Sequence, residues 1–163
     1  MGPQELSTLL WRERELLEML LFKLEEEQLL LTAGRTRWLA HANREVESVV
    51  AKVREATLVR TVASESVATG WGVAADAPLR DLVAAAPSDG PWREILEGHL
   101  QGLTELTVRI RTVRDANTQF VQHASRSTQE TLASLGGEPR TYDASGASAS
   151  REGGVAHLFD TVL

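Results

Sequence analysis

Residues 6–31 read LSTLLWRERELLEMLLFKLEEEQLLL, and the spacing of the leucines decides the fold. Alternating steps of three and four pick out Leu6, Leu10, Glu13, Leu17, Leu20, Leu24, Glu27 and Leu31, a leucine stripe interrupted by two glutamates. A helix turns by about 100° per residue, so this spacing keeps one stripe facing a neighbour. Leu9, Leu16, Met19, Leu21, Phe22 and Leu30 widen the stripe beyond a two-helix seam, and more than one neighbour must cover it. Pro3 suits a first helical turn, and Gly34 can take the left-handed cap that ends the helix.

Two further segments obey the same rule. The second runs through Leu39, Ala42, Val46, Val49, Val53, Ala56, Arg60, Ala63 and Val67 until Gly70-Trp71-Gly72 stops it. Its smaller seam residues allow close approach to the first helix, and the short break around Gly34 predicts an antiparallel hairpin. Between Asp76-Ala77-Pro78 and Pro87 lies one short apolar stretch, Leu79 to Ala86, read as a connecting helix. After Asp89-Gly90-Pro91 the stripe resumes through Trp92, Leu96, His99, Leu103, Leu106, Ile110, Val113, Asn117 and Phe120, then drifts through Val121, Ala124, Thr128, Leu132 and Leu135 to Gly136-Gly137. The expected fold is all-α: an antiparallel, coiled-coil-like bundle of three long helices over about 4–32, 36–69 and 91–135, plus the short connector. Residues 1–136 form the helical domain. Residues 137–163, rich in Gly, Ser and Ala, read as a flexible tail. Within that tail Val155, Leu158, Phe159, Val162 and Leu163 share one face of a short amphipathic helix, the form a docking element takes.

Composition narrows the function. The 163 residues are 42% apolar and 25% charged, enough for one domain with a core. They include no cysteine, which excludes disulfides, thiolate metal sites and a thiol nucleophile and makes a reducing cytoplasm the expected home. The amino-terminal residues lack the pattern of a signal peptide, and no apolar run is long enough for membrane insertion. A net charge of −6 argues against nucleic acid as a partner. His41, His99, His123 and His157 lack the paired spacing of a zinc helix, and no glycine loop stands between a strand and a helix as a phosphate cradle must. No catalytic residue, metal site or cofactor is expected. Glu25-Glu26-Glu27 and the Arg109, Arg111, Arg114 cluster beside Asp115 read as solvated helix faces, and His99 as a seam histidine with its polar edge at the surface.

Length supplies the positive signal. At 1.5 Å per residue the three helices measure roughly 43, 51 and 67 Å. If the third starts near the end of the second and runs back beside both, its last ten to fifteen residues project past the Gly34 turn. Phe120, Val121, Ala124, Leu132 and Leu135 are then left wet, a strip that calls for a cover. The cover is a client's amphipathic helix, the same strip of a second copy, or a short segment of the chain itself.

The residues also resemble a family, the FlgN-type flagellar export chaperones. The resemblance lies in the Leu-rich opening helix, the hairpin, the long last helix carrying Asn117 and Val121, the Thr131-Leu132-Ala133-Ser134-Leu135 ending, and Thr141-Tyr142-Asp143-Ala144-Ser145-Gly146. The stretch Leu10-Trp11-Arg12-Glu13-Arg14-Glu15-Leu16-Leu17 through Glu25-Glu26-Glu27-Gln28-Leu29 looks like the actinobacterial branch. The resemblance spans about residues 5–146 and leaves out residues 147–163. It implies a cytoplasmic helical chaperone without enzymatic activity. Such a protein holds hook–filament junction proteins by their terminal helices and delivers them to the export gate or export ATPase components. The surface expected to bind the client is Asn117, Phe120, Val121, Ala124, Thr128, Leu132, Leu135 and Tyr142. Asn117 either fixes helix register as a buried polar residue or sits at the rim. The rival reading is a structural coiled coil that self-associates through the strip, and the expected state is a monomer or weak dimer.

Overall fold

The computed structural model describes residues 2–135. Tyr142 and the 155–163 segment therefore lie outside the described residues. Four α-helices and one short 3-10 turn make up the fold, with no strand among the described residues: α1 (Pro3–Thr32), the turn Thr36–Trp38, α2 (Leu39–Gly70), α3 (Leu79–Ala85) and α4 (Trp92–Leu135). The expected all-α bundle and the expected helix spans are found to within a few residues.

Helix ends follow local chemistry. Pro3 opens α1, where its missing N–H costs nothing. Gly34 takes φ +65° after α1; its N–H donates to the Leu31 carbonyl while the Arg35 N–H donates to that of Leu30, the paired bonds of a Schellman cap. Gly72, φ +74°, ends α2 in the same way, with Val73 donating to Ala68. Both positions demand the left-handed region, which an L side chain enters only under strain.

α1 is the central element. It packs along α2 on one side and α4 on the other, whereas the backbones of α2 and α4 scarcely meet. This corrects the expectation that the last helix runs back beside both: it lies along α1. Contacts of Glu13 with Thr57 and Arg60, and of Lys23 with Glu45, set α2 antiparallel to α1. Ser7 meets His99 and Leu24 meets Asn117, at sequence separations of 92 and 93, so α4 runs parallel to α1 with a constant register. The core joins Leu6, Leu10, Leu17, Leu20 and Leu24 of α1 to Val49, Val53 and Val67 of α2 and to Leu96, Leu103, Leu106 and Ile110 of α4. α3 does more than connect. Leu79 and Leu82 are buried in the same core, and Arg93, in the first turn of α4, donates to the Ala84 and Ala86 carbonyls.

Two seam residues expected to interrupt the leucines have different fates. Glu13 is buried, with Oε2 2.6 Å from the Arg60 guanidinium and Oε1 accepting from Thr57 at 2.8 Å. Glu27 is only partly buried and accepts from Asn117. His99 departs from expectation: it is buried, with no polar edge at the surface. Its Nε2 lies 3.0 Å from Ser7 Oγ, and Trp11 meets its ring edge-on. Burial, helped by the nearby Arg14 charge, pushes its pKa down from the usual histidine value, so the ring is held neutral.

Candidate functional site: the free end of α4

The apolar stripe of α4 continues past the point where its partner ends. Asn117 is the last buried residue of α4, at 5% exposure, and every residue from 118 to 135 is exposed. Phe120 is 41% exposed, Val121 51%, Leu132 63% and Leu135 79%. Ala124 and Thr128 are exposed as well. The structure thus brings Phe120, Val121, Ala124, Thr128, Leu132 and Leu135 onto one helical segment roughly 26 Å long.

The segment begins close to Phe120, the first residue expected to be left wet, and before the level of the Gly34 turn. At a separation of 93 from α1, Gly34 is level with about residue 127, yet exposure starts at 118. The reason is on α1. One and two turns on from Leu20 its α4-facing stripe passes from Leu24 to Glu27 and Gln28, so α1 offers no leucine level with Phe120 and Val121. The next buried leucine of α1, Leu31, lies at the end that packs against the Thr36–Trp38 turn and α2.

Asn117 marks the boundary. Its Nδ2 donates to the Leu24 carbonyl at 2.9 Å and to Glu27 Oε2 at 3.1 Å, tying the last packed turn of α4 to the last apolar turn of α1. Its Oδ1 is buried with no hydrogen-bond partner among the described residues. Of the two readings of Asn117, burial rules out the half-exposed place at the rim. The strip beyond carries few charges: His123, Arg126 and Glu130 in residues 118–135.

Sequence reasoning missed a second apolar concavity. Glu26, Leu29, Leu30, Trp38, His41, Ala42 and Glu45 line a shallow cavity of about 380 Å³ where α1 meets the start of α2, with no residue of α4 in its lining. Leu29 and Trp38 are exposed there. Lys23 bridges Glu26 at 2.7 Å and Glu45 at 2.8 Å near its rim, which raises the Lys23 pKa and lowers that of Glu45. Leu30 was visible on the widened stripe of α1, but Trp38 precedes the second periodic run and carried no pattern of its own.

Among the described residues no group of histidines and carboxylates could hold a metal ion, and no helix is long and apolar enough to cross a membrane. What the arrangement presents is an apolar helical strip open to solvent. In comparisons with known proteins, no curated protein and no solved structure matches the chain. One family model does, described as FlgN protein, over residues 1–150.

Proposed function

Since the chain belongs to the FlgN family, a family of flagellar export chaperones, we propose that it holds hook–filament junction proteins by their terminal helices. It keeps them unassembled in the cytoplasm and passes them to the export gate or export ATPase components. The observation that carries this reading is the unbroken exposure of residues 118–135 on a helix whose apolar stripe does not stop at Asn117. Junction proteins assemble by packing terminal apolar helices, and an unassembled one displays a surface that aggregates unless masked. A helix laid against Phe120, Val121, Ala124, Thr128, Leu132 and Leu135 buries both surfaces at once, at about 25 cal/mol per Å² of apolar area. Asn117 sets where the client helix begins to replace α1, and Tyr142, further along the chain, completes the surface. Residues 1–136 act as the body and 137–163 as a tail. No catalytic step, cofactor, metal or nucleic acid enters this function.

The test is titration calorimetry of the full chain with terminal-helix peptides of candidate junction proteins. Phe120→Asp and Leu132→Asp are expected to abolish peptide binding while leaving the helical circular dichroism intact. Unchanged affinity in both would remove the site assignment. The alternative, a structural coiled coil that pairs through the same strip, is separated by light scattering. A mass that stays monomeric with concentration and rises with added peptide supports the chaperone. A stable dimer that ignores the peptide supports the coiled coil.

A further inference from the structure

Val155, Leu158, Phe159, Val162 and Leu163 recur at i, i+3, i+4, i+7 and i+8. A helix of nine residues has too few turns to stand alone in water, so such a face needs a surface to form against. α4 offers one at the point from which the chain continues. Residues 118–135 are exposed throughout, and Phe120, Val121, Ala124, Leu132 and Leu135 carry a matching helical spacing.

We propose that residues 155–163 fold back as an amphipathic helix onto the α4 strip and compete there with the client helix. The competition rests on the reading of that strip as the client site; the docking itself does not. Residues 136–154 separate the two elements, and Gly, Ser and Ala supply most of them. A chain of that length and composition has a root-mean-square span of about 24 Å. The strip is roughly 26 Å long, so all of it lies within reach of the segment. Matching span to distance places the effective concentration near the millimolar range. A second copy of the chain must reach a comparable concentration before its own strip displaces the segment. The cavity beside Leu29 and Trp38 is less favoured, because α1, the turn and the start of α2 alone line it and α4, from which the chain continues, takes no part. Charge agrees with the assignment: Asp160 gives the segment a negative group and Arg126 gives the strip a positive one. The family match covers residues 1–150, and the segment lies beyond it.

Hydrogen–deuterium exchange on the full-length chain tests the docking without any client. Phe159→Asp is expected to speed exchange of the 118–135 amides by roughly threefold or more, the change expected when the effective concentration is about twice the segment's own Kd for the strip, and to leave residues 6–110 unchanged. Phe120→Asp together with Leu132→Asp is expected to speed exchange of 155–163 in turn. Absence of either reciprocal effect overturns the docking. So does protection of 155–163 that responds to Trp38→Asp instead, which would seat the segment in the turn-side cavity. Protection that grows with protein concentration also overturns it, in favour of pairing between copies. For the competition, Phe159→Asp is expected to raise the affinity of a junction-protein terminal-helix peptide several-fold, and unchanged or weakened binding overturns it. Reciprocal exchange effects without any peptide binding would refute the client reading and keep the docking; peptide binding without exchange effects would do the reverse.

Discussion

Glu13 sits in a stripe of leucines, and it is tolerable there because Arg60 Nε stands 2.6 Å away and Thr57 donates to its other oxygen. Taking two charges out of water is expensive, so such a pair adds little net stability but penalises every register that separates its members. Glu13→Leu alone strands the Arg60 cation and is expected to cost about 3–5 kcal/mol. Glu13→Leu with Arg60→Leu is expected to recover most of that loss, and urea unfolding of the two variants reads the difference. A double variant no more stable than the single one would contradict this account. His99 makes a second prediction at this scale. Burial and the Arg14 charge depress its pKa in the folded state, while the unfolded chain keeps the usual value near 6.5. Both states are neutral above that value. As pH falls below about 6.5 the unfolded chain takes up a proton that the folded chain resists, so stability declines toward the depressed folded value. His99→Gln is expected to flatten that part of the stability profile, measured by thermal unfolding between about pH 5 and 8. Gly102 completes this cluster: a Cβ there would come within 2.6 Å of the Arg14 guanidinium, which lies over the Trp11 ring at 4.5 Å.

α4 is one continuous helix with two environments, and Asn117 is the boundary between them. Up to that residue the stripe is buried against α1; beyond it the backbone remains helical through Leu135 with every side chain exposed. Asn117→Asp places a carboxylate against the Leu24 carbonyl and Glu27, two acceptors, and removes the donor that both use. The expected cost is about 2 kcal/mol or more by thermal unfolding, from loss of a buried hydrogen bond and from repulsion. Residues of the outer half are exposed, and none belongs to the buried core. Phe120→Asp and Leu132→Asp are therefore expected to change stability by less than about 0.5 kcal/mol, which makes them clean probes of binding.

At the scale of the molecule, α1 serves as a spine that packs against both α2 and α4, and the net charge of −6 is not concentrated on the exposed strip. Residues 118–135 include a single arginine and a single glutamate. Client binding is therefore expected to come from apolar burial, and affinity should change by less than about twofold between 0.05 and 0.5 M salt, a range over which exposed charge pairs are progressively screened. A steep loss of affinity with salt would point to the charged faces of α1 and α2 in place of the strip. The family match over residues 1–150 covers the bundle and the strip together.

Periodicity alone determined the all-α fold, the hairpin, the positions of Gly34 and Gly72 and the excess length of the last helix, because a three-four spacing of leucines and valines is a local property that any neighbour must respect. It also set Glu13, Arg60, His99 and Asn117 on the seams. Tertiary structure decided what each of those polar residues does. Whether a seam glutamate meets an arginine or water, and whether a seam histidine is sealed, depends on register between helices far apart in sequence. It decided as well where the strip begins: exposure starts at residue 118 rather than past the turn, since α1 replaces leucine by Glu27 and Gln28 at the level where α4 still needs a partner.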